Sequence, residues 1–240
     1  MIPRSRNYAL SLFTLALAVV LLAVPEIGQL STTFSSEPTD QLSPTERELV
    51  QELNVLRSDP PKYAIYLEQA KKYYRGKDYK PPGQAMALTT VEGVAAVDEA
   101  IRALRATKPL TPYNTSTGMC LAAKDHVTDI VRTGSTGHKG TDGSTTEARV
   151  NRYGQFSNGI AENILYDTSG AREAVIGWLI DDGVPSRGHR RNLLSPNYRY
   201  LGVGVGARSN ISSMCVLTFA GTFVEAKAAA TGKSKAVRKM

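Results

Sequence analysis

Between Gly137 and Leu194 the chain gathers most of its chemically distinctive residues. Two of its three histidines and its only tryptophan lie there. In order, the stretch reads Gly137-His138-Lys139-Gly140-Thr141-Asp142-Gly143-Ser144, then Ala161-Glu162-Asn163-Ile164. Gly177-Trp178-Leu179-Ile180-Asp181-Asp182-Gly183 and Gly188-His189-Arg190-Arg191-Asn192-Leu193-Leu194 follow. Whole secondary-structure elements separate these imidazoles and carboxylates, so only a tertiary fold can gather them. Two His with acids suit a divalent cation, zinc first. The same groups suit general acid–base chemistry, because imidazole changes charge near neutral pH.

Local patterns place these residues on elements. Ser43-Pro44-Thr45-Glu46 combines an N-cap, a proline at the first helical position and a capping-box glutamate. Leu49, Val50, Leu53 and Leu56 continue it as an amphipathic helix ending near Asp59-Pro60-Pro61. A helix around Tyr63 to Ala70 runs into the Lys- and Tyr-rich stretch 71–81, which reads as an exposed loop. Val91 to Thr107 and Cys120 to Thr133 carry helical apolar patterns, and His126 sits at the edge of the second as a structural hydrogen bonder. His138 follows in a Gly/Ser/Thr-rich loop, and Ser144 is placed to cap a short helix. Ile160 to Tyr166 alternates as a strand with Glu162 between apolar neighbours. A charge there is costly unless paired or liganded, which makes Glu162 the leading carboxylate. On the helix from Ala171 to Asp181, Asp181 lies about 60° from Trp178 and Asp182 about 40° on its other side, so geometry admits either acid. Arg187, Arg190 and Arg191 are candidates to pair with the acids. Leu201 to Gly206 and Met214 to Gly221 read as adjacent strands, with alternate glycines on one face of the first.

Taken together, these ordered strings resemble the CAP superfamily, also called the SCP domain: cysteine-rich secretory, antigen 5 and pathogenesis-related 1 proteins. The resemblance covers roughly residues 43–223, with 68–112 as an insertion of bacterial type after the first helix. Asn54 and Arg57 match an Asn-x-x-Arg step of the family's first helix; taken alone, the pair is ordinary surface chemistry. The resemblance implies an α+β fold, a three-layer α-β-α sandwich with a mostly antiparallel central sheet. It also implies a tetrad of His138, Glu162, Asp181 and His189. In it the two histidines are the usual metal ligands and the acids lie nearby or act through water. Asp181 stands where the family often has Glu, one methylene longer. Two protein nitrogens imply a weak, exchangeable site for Zn²⁺ or another divalent cation.

The ends bear on location. Arg4 and Arg6 precede the apolar run Ala9 to Val24, a basic region and apolar core of the kind that directs export. Residues 1–25 are expected to be an export signal or an N-terminal membrane anchor, and 26–42 a linker. The protein is then secreted, or anchored through 9–24 and facing outside. In an oxidising compartment Cys120 and Cys215, the only two cysteines, form one candidate disulfide. Residues 224–240 are expected to be a basic, disordered tail, and they account for much of the net charge of +7. The Lys/Tyr stretch 71–81 has the composition to stack on single-stranded nucleic acid, a partner an exported protein rarely meets; none is expected.

Three functions follow. The first is an extracellular binding or interaction domain whose cleft recognises a protein and is modulated by metal. The second is a metal-dependent hydrolase, protease-like, with Glu162 as base for a metal-bound water. The third, implied by the resemblance, is lipid or sterol binding in an apolar groove; the Tyr- and Leu-bearing insertion is suited to line such a groove and equally to serve as packing. No zincin helix, nucleophile elbow or Walker A string supports a defined reaction class.

Overall fold

The structure is a computed structural model and describes residues 42–168, 170–207 and 213–227. The expected export segment, all but the last residue of the linker, and residues 228–240 of the basic tail lie outside the described residues. In chain order come α1 (Pro44–Ser58), α2 (Pro60–Lys71), β1 (Tyr74–Arg75), β2 (Asp78–Tyr79), β3 (Leu88–Thr89) and α3 (Val94–Ala106). Then follow β4 (Asn114–Thr115), α4 (Thr117–Thr133), α5 (Thr146–Val150), β5 (Gly154–Thr168), α6 (Ala171–Ile180), α7 (Gly188–Leu193), β6 (Tyr200–Ala207) and β7 (Ser213–Glu225).

The main sheet has the order β4-β6-β7-β5. Only the short β4–β6 pairing is parallel; β6 and β5 both run antiparallel to β7. Strand periodicity sends neighbouring residues to opposite faces. Leu201, Val203, Leu217 and Phe219 pack with Leu49, Leu53 and Trp178 of α1 and α6. Val216, Met214 and Ile164 pack with Ala123, Val127 and Ile130 of α4. The result is an α-β-α sandwich. The alternate glycines of β6 explain how closely α4 approaches: a Cβ at Gly202 would collide with the Met119 carbonyl, and one at Gly204 would lie 2.9 Å from the Ala123 carbonyl carbon.

Several expectations change. The stretch 71–81 is not a bare loop: β1, β2 and β3 form a small antiparallel sheet of their own. Arg57 is not surface chemistry. It is fully buried, donates to the carbonyls of Thr111 (2.7 Å), Leu193, Ser195 and Tyr198, and lies 4.0 Å above the Tyr113 ring. It therefore fastens the chain that follows α7. The short helix α5 is capped by the Thr145 hydroxyl, not Ser144.

The expected disulfide is also corrected. Cys120 and Cys215 are free, buried thiols, and β6 stands between them. Beyond the short β4, the amides on the outer edge of β6 need other acceptors. Cys120 Sγ takes the Val203 amide at 3.4 Å and Glu46 Oε1 takes the Val205 amide at 3.4 Å. Cys215 lies on the other side of β6, opposite Val205 in β7. Burial pushes the Cys120 thiol up to about 11 and the Cys215 thiol up to about 12, which favours the protonated thiol over the thiolate near neutral pH.

Candidate functional site

The site is built around β5, which is the edge strand of the main sheet. Glu162 and Asn163 are consecutive on it and point to opposite faces. On the α4–α5 face, Glu162 Oε1 lies 2.9 Å from His138 Nδ1, and Oε2 accepts from Arg149 Nη2 at 2.7 Å. The Glu162 and Arg149 side chains each expose only 2% of their surface. His126 Nε2 stands 3.9 Å from Glu162 Oε1. Burial alone would raise the Glu162 carboxyl. The His138 hydrogen bond and the Arg149 guanidinium outweigh it and hold the group below the usual range. The same contact raises His138 above the ordinary histidine value.

The His138 loop is fixed by three side chains acting on its backbone. His126 Nε2 donates to the Gly137 carbonyl at 2.9 Å, the Tyr166 hydroxyl accepts the Gly137 amide at 2.8 Å, and Arg149 donates to the His138 carbonyl at 3.2 Å. Gly137 has φ 88°, a left-handed conformation that glycine adopts without steric cost. His126 thus has the structural role its sequence position suggested. Burial lowers its value below the ordinary one and favours the neutral ring.

On the opposite face, α6 ends when Asp181 turns left-handed at φ 56°. Its carboxylate accepts from the His189 amide at 2.9 Å and the Arg190 amide at 3.3 Å, capping α7, while Oδ1 meets His189 Nδ1 at 2.6 Å. Asn163 Nδ2 donates to the His189 carbonyl at 3.1 Å, and Asn192 donates in turn to Asn163 Oδ1 at 2.8 Å. Asp182 faces away and accepts the amides of Val91 (2.6 Å) and Glu92 (2.8 Å). The helical arithmetic that left both acids open stops at Ile180; the left-handed cap decides between them.

The insertion braces this loop. Glu92 returns the contact from Asp182 by accepting the Gly183 amide at 2.9 Å, and Arg187 forks onto Glu92 and Glu99. Arg190 joins Glu99 at 2.9 Å. Arg187 and Arg190 therefore pair with carboxylates of the insertion, not with the side chains of Glu162 or Asp181 as the sequence suggested. The Arg187 hydrogen bond, with the Gly183 amide, brings the Glu92 carboxyl down to about 2. Arg149, the cation that does meet Glu162, was not among the candidates. A single arginine on a five-residue helix carries no pattern, and its one signal was that a buried Glu on a strand face needs a partner.

A cysteine-rich secretory protein family model, CAP, matches residues 99–219, half of the chain. The chain belongs to the CAP family. The matched CAP span contains His138, Glu162, Asp181 and His189. Among solved structures, the chain is similar to an extracellular protein containing a SCP domain from Bacillus anthracis str. Ames. That protein is 25% identical, with a TM-score of 0.38 over 50% of this chain and 36% of its own. An outer surface protein from Borrelia burgdorferi is 19% identical, with a TM-score of 0.40 over 46% of this chain and 78% of its own. This CAP chain thus spans about a third of the length of the Bacillus protein. No curated protein matches it.

Hydrogen bonding in this CAP site sets which nitrogen of each histidine carries a proton. An ionised carboxylate only accepts, so each Nδ1 facing one carries the proton, and each neutral ring presents Nε2 as its lone pair. His138 is 57% and His189 27% exposed at the side chain, open enough to be reached. Among the described residues, no three His, Cys, Asp or Glu side chains form a ligand cluster. The structure brings the four residues together as two pairs, His138 with Glu162 and His189 with Asp181, on opposite faces of β5.

Proposed function

We propose that this CAP domain is an extracellular binding domain whose recognition surface includes a divalent-cation site at His138 and His189, with zinc the first candidate. The carrying observation is the paired arrangement: each histidine has Nδ1 anchored by its own buried carboxylate, Glu162 or Asp181, which leaves Nε2 as the lone-pair nitrogen. When bound, the ion supplies positive charge and open coordination positions for a partner's oxygen or nitrogen atoms. An extracellular setting is supported by the basic and apolar N-terminal sequence and by the secretory family description.

The occupied carboxylate favours binding over hydrolysis. A general base works best with a value near the operating pH, whereas Glu162 is held low and engaged on both oxygens. Calorimetry with Zn²⁺ tests the reading. Wild type should bind one ion in the micromolar range or weaker, and the His138→Ala/His189→Ala variant should not. Equal affinity in the two proteins would refute the site.

A further inference from the structure

The small sheet of the insertion does more than cover α6. Between it and the β5–α6 wall lies a groove of about 430 Å³, within the range of about 300–1,000 Å³ of small-molecule pockets. One wall carries Tyr74, Tyr79 and Leu88, and the other Leu165 and Ile176. The two tyrosine rings are 4.7 Å apart and tilted by 35°, and Leu88 is 62% exposed at the lip. The groove lies apart from the histidine site: Asp181 turns toward His189, whereas its neighbour Asp182 lines the groove with its carboxylate held by the Val91 and Glu92 amides.

Charge separates this groove from the rest of the molecule. Among the described residues, its charged lining is Asp167, Glu173 and Asp182, with no Lys, Arg or His, although the chain carries a net charge of +7. We propose that the groove binds a small organic cation, an ammonium group on an apolar or aromatic body. The apolar body lies along Leu165, Ile176 and Leu88, and the ammonium sits among the acids against a tyrosine face, where the ring quadrupole attracts a cation. The acids already act on these phenols. Burial first, then Tyr79 and Asp182, pushes the Tyr74 hydroxyl up to about 12, and burial and then Glu173 raise that of Tyr79. An anionic amphiphile of equal size meets the same apolar walls with the opposite charge at the rim, so the groove discriminates by sign.

The probe is 3-phenylpropyltrimethylammonium, compared with 3-phenylpropanoate and a neutral tert-butyl analogue of the cation. Binding is followed by calorimetry and by the fluorescence of Trp178, next to Gly177 of the groove wall. Saturable one-to-one binding of the cation is expected, at least tenfold tighter than that of either comparison ligand. Glu173→Lys should weaken it at least tenfold. Glu147→Lys, at an exposed acid on α5, and His138→Ala/His189→Ala should leave it unchanged, so this result stands or falls separately from the metal site. Equal binding of the neutral analogue, an unchanged affinity in a folded Glu173→Lys protein, or no saturable binding of the cation would overturn the proposal. The ligand comparison on the wild-type chain decides the matter even if a variant fails to fold.

Discussion

Arg149 and Glu162 form an ion pair of 2.7 Å in which each side chain exposes only 2% of its surface. Desolvating two charges is expensive, and removing one partner leaves the other buried and uncompensated. Arg149→Leu should therefore destabilise the fold by about 3–5 kcal/mol. Adding Glu162→Gln should recover part of the loss, because a neutral amide replaces the stranded carboxylate. Denaturant unfolding of the two single variants and the double variant gives the coupling; strictly additive losses would show that the pair does not act as a unit.

Opposite shifts are expected for the histidines on the α4–α5 face. His138 is raised, chiefly by its hydrogen bond to Glu162. Its contribution to stability is full below the unfolded value near 6.5 and is lost as pH rises through the folded value. His126 is lowered, chiefly by burial. It favours the fold above the unfolded value, and that preference is lost as pH falls through the folded one. An NMR titration of the metal-free protein should put His138 above and His126 below the ordinary value. Glu162→Gln should bring His138 down; an unmoved His138 would mean that the carboxylate does not set it.

Much of this arrangement was legible in the chain. The amphipathic pattern through Leu49, Val50, Leu53 and Leu56 located α1, and the glycines of β6 signalled close approach by another layer. Glu162 stood out because a charge between Ile160 and Ile164 on a strand face demands a partner. What stayed hidden depended on which side of an element a residue emerges. Cys120 and Cys215 read as a pair, yet one caps the outer edge of β6 and the other lies across that strand. Asp181 and Asp182 were equivalent on a helical wheel until the left-handed turn at Asp181 separated them. The sheet of β1 to β3 uses two-residue strands, too short for any alternation to show.

Asp181 performs two tasks that substitution can separate. Its carboxylate caps the first amides of α7 and anchors His189 Nδ1, and its backbone holds φ 56°. Asparagine tolerates the left-handed region and keeps a capping oxygen. Asp181→Asn should thus cost under about 1.5 kcal/mol, while losing the buried charge weakens Zn²⁺ binding by about 10–100-fold. Asp181→Ala removes the cap and strains the turn, and should cost about 2–3 kcal/mol. Equal unfolding midpoints for the two variants would contradict this division of labour.

The brace from the insertion should matter more for local order than for global stability. Glu92 and Glu99 are partly exposed, so solvent screens their ion pairs and leaves them little weight in global stability. Glu92→Gln should leave the unfolding midpoint nearly unchanged. Hydrogen exchange should still quicken at Gly183, whose amide the Glu92 carboxylate accepts, and at His189 in the first turn of α7, which follows the loop that Arg187 ties down. Because the Glu92 carboxyl is held down to about 2, the wild-type brace persists on acidification and is lost only as pH falls through that value. Exchange at these two amides should consequently stay slow at pH 4 in wild type. Fast exchange there at pH 4, with the core still protected, would show that Glu92 does not hold the loop.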